Sequence, residues 1–181
     1  MEKKLCSYYI DKFCVDKNLF ENVTVLLKSL LITDKQNVNN QEVENFKDSF
    51  KELLKAFPRF IYLKKEDVSV YNDKKALYGN EDLIHCAMGF ICLQIKQLSR
   101  FGNEVYIGKG IANIFLINEK RNKACVIELK YNDTAQAAIE QIKTKEYAKK
   151  ISSEMNTLIF GINVSQDKEV DMICFEILKE N

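Results

Sequence analysis

The sequence predicts an α/β fold: a mixed central β-sheet flanked by helices, with an N-terminal helical extension. Three observations carry this. Residues 1–58 place their apolar side chains at helical spacing. From Glu104 onward the pattern changes to short β-rich runs of strand length, bounded by polar or glycine residues. One helical stretch separates the third run from the fourth, an order that gives a mixed sheet with helices on both faces.

The first helix is expected in "NLFENVTVLLKSLLI", where Leu19, Val23, Val25, Leu26, Leu27, Leu30 and Leu31 make a broad apolar stripe. "NNQEVENFKDSFKELLKAF" repeats the pattern with Val43, Phe46, Phe50, Leu53, Leu54 and Phe57. Pro58, the single proline, is expected to stop it. Between the two helices, "TDKQNVNNQ" is the best linker candidate, short enough to join helices within one domain. A division into a helical region at 1–58 and a core at 59–181 follows. "FIYL" offers one short strand near residue 60, and "NEDLIHCAMGFICLQIKQLSRFG" a long apolar helix ending near Gly102.

The strands are then read at "EVYIG", "IANIFLIN", "ACVIELKY", "TLIFGINV" and "VDMICFEIL". "NEKRNK" is a polar turn that makes its neighbours an antiparallel hairpin. The intervening helix is "DTAQAAIEQIKTKEYAKKI", with Asp133 and Gln136 spaced as a capping box.

A chain of 181 residues buries roughly two thirds of its unfolded surface and needs no metal or disulfide staple to fold. Its 46% hydrophobic and 29% charged content is that of a soluble globular domain. No run approaches about 18 uninterrupted apolar residues, and "MEKKLCSYYIDKF" lacks a signal-peptide core, so a cytoplasmic, membrane-free protein is expected. Cys6, Cys14, Cys86, Cys92, Cys125 and Cys174 contain no Cys-x-x-Cys pair and read as reduced residues, most of them in apolar runs. His85 is the only histidine, and no motif supports a zinc site or a Ser-His-Asp triad around it.

The net charge of +1 neither demands nor excludes nucleic acid. Lysines dominate over Arg59, Arg100 and Arg121, which favours sequence-independent backbone contact over base reading. Lys143, Lys145, Lys149 and Lys150 could track a phosphate backbone, although the plainer reading is a solvated helix face. Tyr8, Tyr9 and Phe13 form an apolar patch, expected in the core or in self-association as a homodimer.

The chemistry concentrates on one hairpin. Alternate strand residues share a face, so Glu128 and Lys130 point together, with Val126 behind them. On the preceding strand Asn113 shares a face with Phe115 and Ile117, and hairpin pairing brings it near Glu128. A carboxylate, an amide oxygen and the Leu129 carbonyl are a plausible hard-cation site, with Mg²⁺ or Mn²⁺ as candidates. Lys130 would then orient water or offset charge on phosphorus. Taken alone, Glu-x-Lys on a strand is more often a solvated charge pair.

The surrounding segments resemble the PD-(D/E)XK nuclease superfamily, whose core is restriction-endonuclease-like. The matching pieces are "NEDLIH", "GKGIANIFL", "VIELKYND", "AAIEQIKTKEYAKK" and "LIFGINVSQDKEVD", preceded by "EVENFKDSFKELLKAFP". The pattern looks closest to the nuclease-like C-terminal domain of bacterial AAA-ATPase-like proteins. The resemblance implies catalytic roles for Glu128 and Lys130, and site- or DNA-approaching roles for Gln141 and Tyr147. It implies that Glu81 assists a metal held by position 113, Glu128 and Leu129, and that His85 occupies a position often held by histidine. DNA is the implied partner, a protein partner the alternative.

The departure is Asn113. The family pattern Gly-x-x-Asp reads "GIAN" here, so the site loses one anionic ligand and metal binding is weakened or absent. Two readings stay open: a metal-dependent nuclease acting on DNA, and a scaffold without turnover that binds nucleic acid or protein.

Overall fold

The computed structural model describes residues 16–32, 38–56 and 80–179. Pro58, "FIYL", Cys6, Cys14 and the Tyr8, Tyr9 and Phe13 patch lie outside them.

Helix α1 (Lys17–Ile32) buries Phe20, Val23, Leu27, Leu30 and Leu31, and α2 (Asn40–Ala56) buries Val43, Phe46, Phe50, Leu53 and Leu54. These steps of three and four residues turn one stripe of each helix inward. Val25 falls off the α1 stripe and stays exposed, so the seven-residue stripe read in the sequence is too broad. Phe46 stacks on Phe50 and meets Phe160 edge-on with ring centres 5.9 Å apart, which anchors α2 to the sheet.

A third helix, α3 (Asn80–Leu93), leads into a five-stranded sheet: β1 (Arg100–Ile107), β2 (Gly110–Asn118), β3 (Lys123–Tyr131), β4 (Asn156–Val164) and β5 (Val170–Ile177). Strands follow in chain order, antiparallel except for the parallel β3–β4 pair. Helices α4 (Ala135–Thr144) and α5 (Lys149–Ser152) connect those two strands, supplying the crossover that a parallel pair requires. The expected mixed sheet with helical flanks is what the chain adopts.

Helices α1, α2 and α3 cover Cys125, Ile127, Leu129, Leu158, Phe160 and Ile162 on one sheet face. Val126 and Ile159 pack with Ile139, Ile142 and Tyr147 on the other. Gly161 lets α4 sit close on β4, since a Cβ there would lie 2.6 Å from the Ala135 carbonyl oxygen. Cys92 and Cys125 are buried free thiols, and burial raises the pKa of both and of Cys174.

Three local expectations are corrected. The apolar helix does not reach Gly102; it stops at Leu93, and Ser99 N–H already bonds to the Ile117 carbonyl. The segment from Arg100 then pairs with β2 as an edge strand, so β1 begins before "EVYIG". The α4 cap is Thr134, whose hydroxyl accepts from Ala137 N–H, so Asp133 and Gln136 form no capping box. Gln136 bonds to Glu140 instead. Finally, "DTAQAAIEQIKTKEYAKKI" is two helices, broken at Glu146, where φ is 56°. "NEKRNK" does form the hairpin turn, a 3₁₀ turn over Glu119–Arg121 closed by Asn122 in the left-handed region.

Candidate active site

Strands β2 and β3 pair from Ile114↔Ile127 to Asn118↔Lys123. Both strands run on past the Ile114 end, but their ladder stops there. At the parting, side chains replace the missing backbone bonds. Asn113 N–H donates to Glu128 Oε2 at 3.4 Å, and Leu129 N–H donates to Asn113 Oδ1 at 2.7 Å. On the other side, β3 stays paired with β4 through Tyr131↔Val164, which holds Glu128 and Lys130 in place while β2 diverges.

Glu128 is only 1% exposed. A carboxylate so buried needs donors around it. Gln141 Nε2 donates to Oε1, and Lys130 Nζ lies 3.8 Å from the same oxygen. The Gln141 carbonyl accepts from Lys130 Nζ at 2.7 Å. Gln141 thus spans the ion pair, its N–H toward the anion and its oxygen toward the cation. That polarity fixes which way its amide points.

Tyr147 extends the chain of contacts. Its hydroxyl donates to the Ile111 carbonyl at 2.6 Å and receives Gln141 Nε2 at 3.5 Å. Burial raises the phenol's pKa; the Gln141 hydrogen bond opposes the shift and the charge of Glu128 adds to it. His85 Nε2 donates to the Asn113 carbonyl at 2.9 Å, because a carbonyl can only accept.

The break between α4 and α5 puts Tyr147 there. Glu146 takes the left-handed conformation, Tyr147 N–H reaches back to the Ile142 carbonyl, and Glu146 N–H to that of Lys143. These are the paired bonds of a Schellman motif. The β1–β2 turn docks on this corner: Lys109 N–H donates to the Lys145 carbonyl at 2.8 Å, and Lys109 Nζ pairs with Glu146 at 3.0 Å. The Lys109 ammonium, hydrogen-bonded to Glu146, holds that carboxyl below its usual range, with Lys149 adding to the effect.

The structure therefore gathers Asn113, Glu128, Leu129, Lys130, Gln141 and Tyr147, and adds His85 through the Asn113 backbone. Glu81 lies on α3, but its side chain is outside the described residues. Lys143 is not gathered; its ammonium sits 6.0 Å from the Phe175 ring. The expected single lysine face is corrected too, because Lys143 closes α4 while Lys149 opens α5 and pairs with Glu146. Sequence reasoning missed the Ile111 carbonyl and the Glu146 corner. A backbone acceptor leaves no mark in the sequence, and a left-handed glutamate is not a residue type that announces a helix end.

The sequence profile of the PD-(D/E)XK nuclease superfamily matches residues 79–176, more than half the chain, and spans every one of these groups. The chain belongs to that superfamily. Among curated proteins, no sequence matches it.

PD-(D/E)XK nucleases generally use divalent metals. The donor set does not fit one well. Glu128 is the carboxylate at this junction, its charge is balanced by Lys130, and N–H donors already occupy both its oxygens. Asn113 contributes an uncharged oxygen that already accepts from Leu129. Among the described residues, no three His, Cys, Asp or Glu side chains come together. Among the described side chains, a divalent cation here would meet one carboxylate already balanced by one ammonium, whereas such ions are held by one or two uncompensated carboxylates.

Proposed function

We propose that the chain is a PD-(D/E)XK domain that engages the backbone of nucleic acid, most simply DNA, without hydrolysing it. The observation behind this reading is the charge balance at the strand parting, one carboxylate against one ammonium with an amide where the motif carries Asp. The described polar framework keeps Gln141 bridging Glu128 and Lys130. A lysine-rich, arginine-poor composition favours phosphate contact over base reading.

The test combines two assays on the full chain. Labelled DNA should bind in EDTA, and plasmid or single-stranded DNA should remain intact in Mg²⁺ or Mn²⁺. Binding that disappears with EDTA, or with Glu128→Ala, removes the metal-independent reading. The retained Glu128–Gln141–Lys130 arrangement favours a second reading, metal-dependent hydrolysis by a weakened nuclease. Cleavage in Mn²⁺ that Lys130→Ala abolishes would establish it.

Three finer assignments belong to the same proposal. The segments quoted above support, as the finer assignment, a relationship to the C-terminal nuclease-like domain of bacterial AAA-ATPase-like proteins. A protein partner or homodimer is compatible with a binding role in the cytoplasm. Residues 1–58 act as a helical region on a core at 59–181, supported by α1 and α2 sharing one apolar cluster with the sheet. No helix among the described residues is long and apolar enough to cross a membrane.

A further inference from the structure

Asn113 does more than omit a charge. Its carboxamide is oriented: Leu129 N–H donates to Oδ1 at 2.7 Å, so the oxygen faces the strand and Nδ2 is the atom left over. Among the described residues no acceptor meets Nδ2, although the Asn113 main chain is held at both ends, its N–H by Glu128 and its carbonyl by His85. The side chain is half-buried at the point where β2 and β3 separate, close to Glu128 and Lys130. An aspartate there would offer this opening an acceptor with negative charge. The asparagine offers it a donor.

We propose that Asn113 Nδ2 donates to a non-bridging oxygen of a nucleic-acid phosphodiester, so that the former cation ligand has become an anion-binding group. The inference rests on the metal-independent reading above and specifies which group recognises the ligand. Lys130 has three N–H donors; one goes to Gln141 and the ammonium also faces Glu128 Oε1 at 3.8 Å, which leaves a donor for the same phosphate. Glu128 would otherwise repel that phosphate. Its charge is met by Asn113 N–H, Gln141 Nε2 and Lys130, so the described side chains of the cluster balance one carboxylate with one ammonium. Replacing the amide by a carboxylate would make these side chains net negative and remove the donor at once, which reverses the preference from anion to cation.

The experiment compares wild type, Asn113→Ala and Asn113→Asp for binding of short fluorescent single-stranded and duplex DNA, in EDTA and in Mg²⁺, after thermal unfolding has shown each protein folded. In EDTA, Asn113→Ala should bind roughly tenfold more weakly than wild type, since it removes the Nδ2 donor to a charged group along with the Oδ1 acceptor of Leu129 N–H. Asn113→Asp should be weaker still in EDTA and recover in Mg²⁺, while Asn113→Ala should not recover. If Asn113→Asp does not fold, the alanine variant alone decides. Wild-type affinity in Asn113→Ala overturns the proposal, as does an Asn113→Asp variant that binds equally well in EDTA. A wild type that binds no DNA in EDTA overturns the reading beneath it as well, so the two failures are separable.

Discussion

The Tyr147 hydroxyl donates to the main-chain carbonyl of Ile111 at 2.6 Å, tying the corner after α4 to the strand that carries Asn113 two residues later. The same hydroxyl receives Gln141, which in turn holds Glu128. One phenol thus sets the spacing between the diverging strand and the helix that closes the site. Tyr147→Phe should leave the Ile111 carbonyl without this donor and cost about 1–2 kcal/mol, read as a lower urea midpoint at unchanged slope. The pH dependence has a definite sign. Burial raises the phenol's pKa above its unfolded value, so the neutral form is favoured in the folded state. The associated stability is full below about pH 10 and declines as pH rises through that value. Tyr147→Phe should flatten that part of the alkaline stability profile; an unchanged profile would show that the phenol is not held in this way.

The cap of α4 separates two adjacent residues. Thr134 Oγ1 accepts from Ala137 N–H, while Asp133 meets Asn163 through its main chain. Thr134→Ala should cost about 1 kcal/mol, and Asp133→Ala should stay within about 0.5 kcal/mol. Chemical denaturation of the two variants checks the order, and an inverted order would restore the capping box that the sequence suggests.

How far the sequence reaches is visible in these same residues. The alternation that puts Val126 and Glu128 on one face, and the hairpin that brings Asn113 opposite them, follow from a period of two and a polar turn, both local signals. Those signals alone put Asn113, Glu128 and Lys130 at one place, where they also fit a solvated charge pair; Gln141 and Tyr147 entered only through the family resemblance. The misreadings are where tertiary contacts override local pattern. "KQLSRFG" continues a helical composition, yet β2 offers partners to every residue of Arg100–Ile107 except Glu104, where φ is 52°. "TKEYAKK" is good helix-forming sequence, yet the docked β1–β2 turn meets the carbonyl of Lys145 and the carboxylate of Glu146 and breaks the helix there. The bridging role of Gln141 depends on the distance between α4 and β3, which no single-strand pattern encodes.

That docked turn depends on Gly108. Its φ is 59°, and a Cβ there would sit 2.4 Å from the Lys145 carbonyl oxygen and 2.7 Å from that of Glu146. Both contacts are with main chain, which cannot swing aside as a side chain can. Gly108→Ala should therefore destabilise the fold by about 1–3 kcal/mol from backbone strain before the clash is counted. It should also raise hydrogen exchange at Lys109 N–H, which bonds to Lys145, and at Tyr147 N–H. Exchange at Lys109 as slow as in wild type would mean that the corner accommodates the methyl group.

The strongest internal test concerns the ion pair. Glu128 is 1% exposed and the Lys130 side chain 20% exposed, so each charge relies on the other and on Gln141. Lys130→Met keeps the length and removes the cation that lies 3.8 Å from the buried carboxylate. Removing one partner of such a pair costs about 3–5 kcal/mol. Glu128→Gln removes the anion with little change of shape and leaves a better-solvated ammonium, so its cost should be smaller. In the double variant the uncompensated charge is gone, and stability should return to well above the Lys130→Met value. A double-mutant cycle read by denaturant midpoints measures this coupling directly. Strictly additive costs would mean that Glu128 and Lys130 do not neutralise each other, and the charge balance argued for this site would no longer hold.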